Sequence, residues 1–130
     1  MKEALEMSGL KPSDISYINA HGTGTVNNDV SEGKAIERLF GATPPPVSST
    51  KPFTGHTTSA AGTVEAIICL LAMQYGFIPA NLNFREPDPL ICFTPVTTTR
   101  IGQQLNHVMT NSFGFGGNNT SLIFSKVEGA

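Results

Sequence analysis

The chain has 130 residues, a formal net charge of −2 and only eight Lys and Arg residues. This length suits a single domain with a substantial core, and the scattered basic residues argue against a nucleic-acid-binding surface. The longest uninterrupted apolar run, 66–73, is far shorter than the ~20 residues of a membrane-spanning helix. Charged residues interrupt the first turns, at Lys2, Glu3 and Glu6. We therefore expect no signal peptide, no membrane association and a soluble, cytoplasmic protein.

The alternation of helix and strand patterns in the first half of the chain predicts an α/β domain with a mixed sheet. The expected elements, in order, are a short helix over 1–8, a strand over 15–20, a helix from Asp29 to Phe40, a strand over 47–49, a helix from Thr58 or Ser59 to Gln74, a weak strand over 93–101, and strands over 107–112 and 120–126. The last two strands flank a glycine-rich turn and are predicted to pair antiparallel. Asp29 with Glu32 three residues later is a capping-box pattern for the second helix.

The stretch 46–74 is the centre of the prediction. Lys51 and His56 lie between a short strand and a helix, among Pro and Gly residues that favour a loop. Apolar residues cover nearly every face of the helix, which is typical of a helix buried on all sides. Glu65 lies within this helix and needs a partner there, which could be a cation, a hydroxyl or the amides of Asn118 and Asn119.

Two histidines follow successive predicted strands, His21 after the first and His56 after the second. Neighbouring strand ends meet at one edge of such a sheet, so we expect the two rings to converge on one pocket, with Lys51 as a fixed positive charge nearby. Neutral imidazoles there could polarise a carbonyl or steady an enolate. The alternative is that both are ordinary core or loop residues.

Other kinds of site have weaker support. The histidines lack short metal-binding spacing and no acidic cluster accompanies them, so no metal site is expected. Cys69 and Cys92 lie in apolar sequence without disulfide or zinc spacing, which predicts two reduced core thiols. The glycine-rich pieces do not have the pattern of a nucleotide-binding loop.

Three motifs carry a family resemblance: Asn-Ala-His-Gly-Thr-Gly-Thr over 19–25, Ser-Ser-Thr-Lys-Pro with Thr-Gly-His over 48–56, and Asn-Ser-Phe-Gly-Phe-Gly-Gly over 111–117. With them the chain resembles the C-terminal half of the β-ketoacyl-[acyl carrier protein] synthases, the condensing enzymes of fatty acid synthesis. It looks most similar to the bacterial elongating type. The resemblance implies the C-terminal part of a thiolase-like fold over residues 1–130 and a homodimer in the full-length enzyme.

The resemblance also implies roles for individual residues. His21 and His56 match the two catalytic histidines, and Lys51 matches the lysine beside them. Phe115 matches the gating phenylalanine, whose backbone N–H completes an oxyanion hole. The pantetheine-binding threonines correspond to Thr23 and Thr25, a buried structural glutamate corresponds to Glu65, and Asp29 matches a family aspartate.

The chain also departs from the family pattern. The nucleophilic Cys of the family lies in the N-terminal half, which is absent, so the chain is expected to hold half an active site and to be inactive alone. Val-Asn-Asn at 26–28 replaces a usual Pro-Leu-Gly-like turn, and Asn118 replaces a frequent Thr. The implied partners are the acyl carrier protein, whose phosphopantetheine arm makes a separate cofactor unnecessary, and the N-terminal half. Two alternatives are a non-catalytic partner subunit of a ketosynthase heterodimer and a thiolase-type enzyme using coenzyme A.

Overall fold

The computed structural model describes residues 1–127. Its helices are α1 (Lys2–Ser8), α2 (Val26–Phe40), α3 (Lys51–Thr54) and α4 (Ala61–Tyr75), with 3₁₀ turns at Pro12–Asp14 and Thr58–Ala60. Its strands are β1 (Tyr17–Asn19), β2 (Val47–Ser48), β3 (Phe77–Ile78), β4 (Arg100–Ile101), β5 (His107–Phe113) and β6 (Asn119–Ser125). None of the helices in this range is long and apolar enough to cross a bilayer.

The main sheet has the strand order β2-β1-β5-β6. β1 runs parallel to both β2 and β5, whereas β5 and β6 form an antiparallel hairpin around the glycine-rich turn. The predictions of an α/β class, a mixed sheet and this hairpin are therefore confirmed. β3 and β4 form a separate antiparallel pair.

Side-chain alternation along β1 and β5 divides the core between the two faces of the sheet. Tyr17 and Val108, which are register partners, belong to a cluster that includes residues of α4. Ile18 and Met109, the next pair, belong to a second cluster that includes residues of α1 and α2. The sheet is thus covered by α4 on one face and by α1 and α2 on the other.

Helix α4 differs from its prediction in two ways. Only one face is buried, whereas Ile67, Leu70 and Leu71 are 52%, 49% and 40% exposed, so the expectation of burial on all sides is wrong for this chain. Thr58 and Ser59 form the preceding 3₁₀ turn, and no side chain caps α4. The apolar composition predicted burial correctly only for the face that the sheet covers.

Helix α2 begins at Val26 with Thr25 at the N-cap position, three residues earlier than predicted. Asp29 is therefore inside the first turn, where its Oδ1 accepts the N–H of Gly24 at 3.2 Å, and the predicted capping box is absent. The weak strand predicted over 93–101 is mostly irregular, with only β4 at its end. The short strand β3 was not predicted, because two residues are too few to produce a visible alternation.

Candidate active site

The two histidine rings are brought together at one edge of the sheet. His21 follows β1 and is 6% exposed, whereas His56 lies on the exposed loop after α3. Their ring centroids are 5.5 Å apart and the ring planes are nearly perpendicular. The ring of Phe113, on β5, lies 5.7 Å from that of His21. The predicted convergence of the two histidines is confirmed.

Lys51 was predicted to lie on a loop, and this prediction is wrong. It is the first residue of the short helix α3, and its side chain is buried. Its Nζ lies 3.3 Å from Nδ1 of His21 and forms an ion pair with Glu65 of α4. Of the partners predicted for Glu65, the cation is correct and the amides of Asn118 and Asn119 are wrong. A buried carboxylate and a buried ammonium neutralise one another here, which the sequence separation of the two residues does not reveal.

The hydrogen bonds around the rings fix the position of each imidazole proton. An ammonium group can only donate, so Nδ1 of His21 accepts from Lys51 and the neutral ring carries its proton on Nε2. The backbone N–H of Thr58 donates to Nδ1 of His56 at 3.2 Å, which assigns the proton of His56 to Nε2 as well. Both neutral rings therefore have an Nε2–H group available as a hydrogen-bond donor.

The electrostatics keep His21 in its neutral form. Burial, together with the positive charge of Lys51, lowers the pKa of His21 from 6.5 to about 4. Burial raises the pKa of Glu65, and the Lys51 ammonium beside it opposes that rise. At neutral pH the site thus contains an uncharged imidazole beside a fixed cation, an arrangement that favours a developing negative charge on a bound oxygen.

Glu32, assigned to a capping box from the sequence, is a buried residue of the site. Its Oε1 and Oε2 accept the backbone N–H groups of His21 and Gly22, both at 2.9 Å. Asn111 of β5 donates its Nδ2 to the same carboxylate at 3.1 Å. The sequence signal that could have revealed this role is the position of Glu32 on the inner face of α2, one turn before the buried Ile36.

The remaining predicted residues lie at the exposed rim. The hydroxyls of Thr23 and Thr25 hydrogen-bond to each other at 2.9 Å. Phe115 lies at the tip of the β5–β6 turn with its side chain fully exposed. The roles of Thr23, Thr25 and Phe115 stay predictions.

The two cysteines differ in burial, and the pKa of each thiol is raised. Cys69 is completely buried in α4, and burial raises the pKa of its thiol to about 12. Cys92 is exposed, so its assignment to the core is wrong. A hydrogen bond to Glu37 raises the pKa of the Cys92 thiol. Because both pKa values are raised, neither cysteine is predominantly a thiolate at neutral pH.

A metal centre has no visible ligand set in the part of the chain described, residues 1–127, because His, Cys, Asp and Glu form no group of three or more suited to an ion. The polar groups that the structure brings together at this site are the two imidazoles, the ammonium of Lys51 and the carboxylates of Glu32 and Glu65.

Comparison with known proteins identifies the relatives of the chain. It is 45% identical to a mitochondrial 3-oxoacyl-[acyl-carrier-protein] synthase of Arabidopsis thaliana, over 98% of this chain and 29% of that protein. It is 43% identical to 3-oxoacyl-[acyl-carrier-protein] synthase 1 of Escherichia coli K12, over 88% of this chain and 28% of the relative. The chain thus spans less than a third of the length of these relatives.

Solved structures give the same result. The ishigamide ketosynthase/chain length factor matches with a TM-score of 0.93 and 38% identity, over 97% of this chain and 31% of that one. A type II polyketide ketosynthase in complex with its acyl-carrier protein, bound to the hexaketide, matches with a TM-score of 0.91 and 28% identity, over 98% and 32% of the two chains. The fold is therefore that of the thiolase-like ketosynthases. A family profile described as "Beta-ketoacyl synthase, C-terminal domain" matches residues 1–85, and the chain belongs to the β-ketoacyl synthase family.

Proposed function

We propose that the chain is the C-terminal half of a 3-oxoacyl-[acyl carrier protein] synthase of fatty acid biosynthesis, and that it supplies the two catalytic histidines for decarboxylative condensation. The observation that carries this proposal is the approach of His21 and His56 to 5.5 Å with Lys51 beside them. The likeness to 3-oxoacyl synthases over almost the whole chain supports it.

The proposed chemistry uses the two Nε2–H groups. When the malonyl thioester loses its carboxylate as CO₂, the electron pair of the broken C–C bond moves onto the thioester, and its oxygen becomes an enolate oxygen. Imidazole donors at this oxygen stabilise the charge as it develops. The enolate carbon then attacks the acyl thioester carbonyl, the new C–C bond forms, and the cysteine thiolate leaves. Lys51 contributes by holding Nδ1 of His21 as an acceptor.

The acyl-carrying thiolate in this proposal comes from another polypeptide segment. A competent cysteine needs a lowered pKa, whereas both thiols of this chain have raised ones. The proposed source is the N-terminal half present in the longer relatives.

The exposed apolar face of α4 supports the same partner. Ile67, Leu70 and Leu71 form a contiguous apolar surface on a helix whose opposite face packs on the sheet. Exposed patches of this kind mark interaction surfaces. We propose that the N-terminal half covers this face, and that the assembled enzyme is a cytoplasmic homodimer.

The substrate contacts complete the proposal. Thr23 and Thr25 would bind the pantetheine arm of the acyl carrier protein, and the backbone N–H of Phe115 would complete the oxyanion hole for the acyl thioester. The glycines around Phe115, two of which have positive φ values, give this turn the conformations that such a gate requires. The arm arrives on its carrier, so no separate cofactor is proposed.

The experiment fuses the chain in frame to the N-terminal part of the E. coli relative and measures CO₂ release from malonyl carrier protein. His21→Gln and His56→Gln are each expected to lower the rate by about 10²-fold or more. His107→Gln is the matched control, because the ring of His107 lies at the far end of β5, where its Nδ1 is 2.8 Å from the hydroxyl of Ser125. Unchanged rates in both site variants would overturn the catalytic assignment and favour the non-catalytic partner subunit.

A further inference from the structure

The two histidine rings of the site are of the kind that captures transition metals. Neutral imidazole is the commonest metal ligand in proteins, and the ring centroids of His21 and His56 lie 5.5 Å apart. Zinc is four-coordinate and accepts water alongside protein ligands, so two neighbouring imidazoles can hold it weakly. Whether this pair does so depends on which ring nitrogens have a free lone pair.

Nε2 of His21 has no lone pair to offer. The ammonium of Lys51 lies 3.3 Å from Nδ1 of His21, and an ammonium has three donors and no acceptor. Nδ1 therefore keeps its lone pair, and Nε2 keeps the proton. A metal ion at Nε2 would require the proton to move to Nδ1, where the new N–H would face another N–H donor instead of an acceptor.

Nδ1 of His21 does have a lone pair, but the ammonium of Lys51 already occupies the position in front of it. The same ammonium forms the ion pair with Glu65, so Nζ lies between an imidazole nitrogen and a carboxylate oxygen. Both are zinc ligands, and Nζ thus takes the place of a cation bound to these two groups. Lys51 is only 6% exposed, and its charge repels a second cation at this distance.

His56 is held more loosely than His21. The donor to its Nδ1 is the backbone N–H of Thr58, on a loop that is exposed to water. Water can replace such a donor, so the ring of His56 can turn and present either nitrogen. A single imidazole on a surface loop binds a metal ion weakly, and the state of His21 therefore decides whether the pair binds one.

From this geometry we propose that Lys51 closes His21 to divalent transition metals: its ammonium fills the cation position between His21 and Glu65 and keeps the imidazole proton on Nε2. Lys51 is in this sense a specificity-determining residue, which leaves the two rings free to donate hydrogen bonds to a bound oxygen. The benefit for condensation rests on the proposed function, whereas the exclusion of metal ions does not.

The test is a Co²⁺ titration at pH 7, because the visible absorption of Co²⁺ reports the number and kind of its ligands. Co²⁺ takes the same nitrogen and oxygen ligands as Zn²⁺. All chains carry Cys92→Ser, so that the exposed thiol does not compete for the ion. Lys51→Ala removes the ammonium and leaves Nδ1 of His21 and the carboxylate of Glu65 facing the vacated space.

Lys51→Ala is expected to bind one Co²⁺ with an affinity about 10-fold or more above that of the parent chain. Lys51→Ala/His21→Gln should lose this gain, since it lacks the imidazole ligand. Lys34→Ala is the matched control: it removes an exposed lysine that also pairs with a glutamate, and it should bind Co²⁺ as the parent chain does. Equal affinities of the parent chain and Lys51→Ala, or a gain that persists without His21, would overturn the proposal.

Two-bond ¹H–¹⁵N NMR spectra of the parent chain decide the matter if Lys51→Ala does not fold. These spectra show which ring nitrogen of each histidine carries the proton. His21 is expected to keep its proton on Nε2 when equimolar Zn²⁺ is added. Loss of that proton from Nε2, with Zn²⁺ in its place, would contradict the exclusion of metal ions by Lys51. Neither measurement uses substrate, so failure of the proposed condensation leaves both results interpretable.

Discussion

The backbone N–H of Thr58 donates to Nδ1 of His56 at 3.2 Å. Thr58 itself has a φ of +48°. A β-branched residue in the left-handed region is strained by about 1–2 kcal/mol. The strained residue is the donor that fixes the tautomer of His56, so the local conformation follows the needs of the site rather than the preference of threonine.

Thr58→Gly should therefore stabilise the chain by about 1 kcal/mol, because glycine adopts this φ without a Cβ clash and retains the N–H donor. Chemical denaturation monitored by circular dichroism measures the change. Thr57→Gly is the matched control: its φ is −79°, so glycine there should destabilise by about 0.5–1 kcal/mol through the unfolded state. Equal destabilisation by both changes would argue against strain at Thr58.

Lys51→Met should destabilise the chain by about 3–5 kcal/mol, since it leaves the carboxylate of Glu65 buried without its cation. The free energy of unfolding at pH 7 measures this. Lys34→Met is the control. The Lys34 side chain is 48% exposed, and its loss leaves the carboxylate of Glu37 still accepting the N–H of Cys92, so the free energy of unfolding should change much less than in Lys51→Met.

The double variant Lys51→Met/Glu65→Gln should recover part of this loss, because no charge is then left unpaired in the interior. A double variant as unstable as the sum of the two single variants would mean that Lys51 and Glu65 do not stabilise one another.

The stability contribution of His21 should depend on pH between 4 and 6.5. The folded chain holds the pKa of His21 at about 4, whereas the ordinary value is 6.5. In this window the unfolded chain binds more protons at His21, so the contribution is fully present above pH 6.5 and is lost as the pH falls to 4.

The measurement compares the free energies of unfolding of the parent chain and His21→Gln from pH 4 to 8. The difference between the two free energies of unfolding should shrink as the pH is lowered through this window. The titration of Glu32 and Glu65 cancels in this difference, because both chains contain these residues. A difference that is constant with pH would show that His21 titrates normally in the folded chain.

The two thiols should differ in accessibility. Cys92 is exposed and Cys69 is completely buried, so a thiol reagent should label one cysteine per native chain and both after denaturation. Cys92→Ser should abolish labelling of the native chain. Rapid labelling of that variant would mean that α4 is not packed on the sheet.

The sequence predicted those features that depend on local pattern or on strand order. The β5–β6 hairpin follows from its glycine-rich turn, and the approach of His21 to His56 follows from the way parallel strands end at one edge. The sequence left the partner of Glu65 open between a cation, a hydroxyl and the amides of Asn118 and Asn119. Lys51 is 14 residues away in the chain and reaches Glu65 only through tertiary packing.

Other features lay outside the reach of local pattern. Glu32 had a spacing that suggested a helix cap, and only the crossing of α2 beneath the His21 turn reveals its contacts. The apolar pattern of α4 predicted burial on every side. In residues 1–127 the sheet covers only one face of α4, and Ile67, Leu70 and Leu71 on the other face are exposed.

The central claim is that this chain holds the histidine half of a condensing site and takes its thiolate from another segment. Mass spectrometry after incubation with acyl and malonyl carrier proteins tests it most directly, with the chain alone and with the chain fused to the Cys-containing part of the E. coli relative. We expect an acyl adduct on the cysteine of that added part and a condensed product from the fusion, but neither an adduct on Cys69 or Cys92 nor any product from the chain alone. Acylation of Cys69 or Cys92 followed by chain extension would contradict the account.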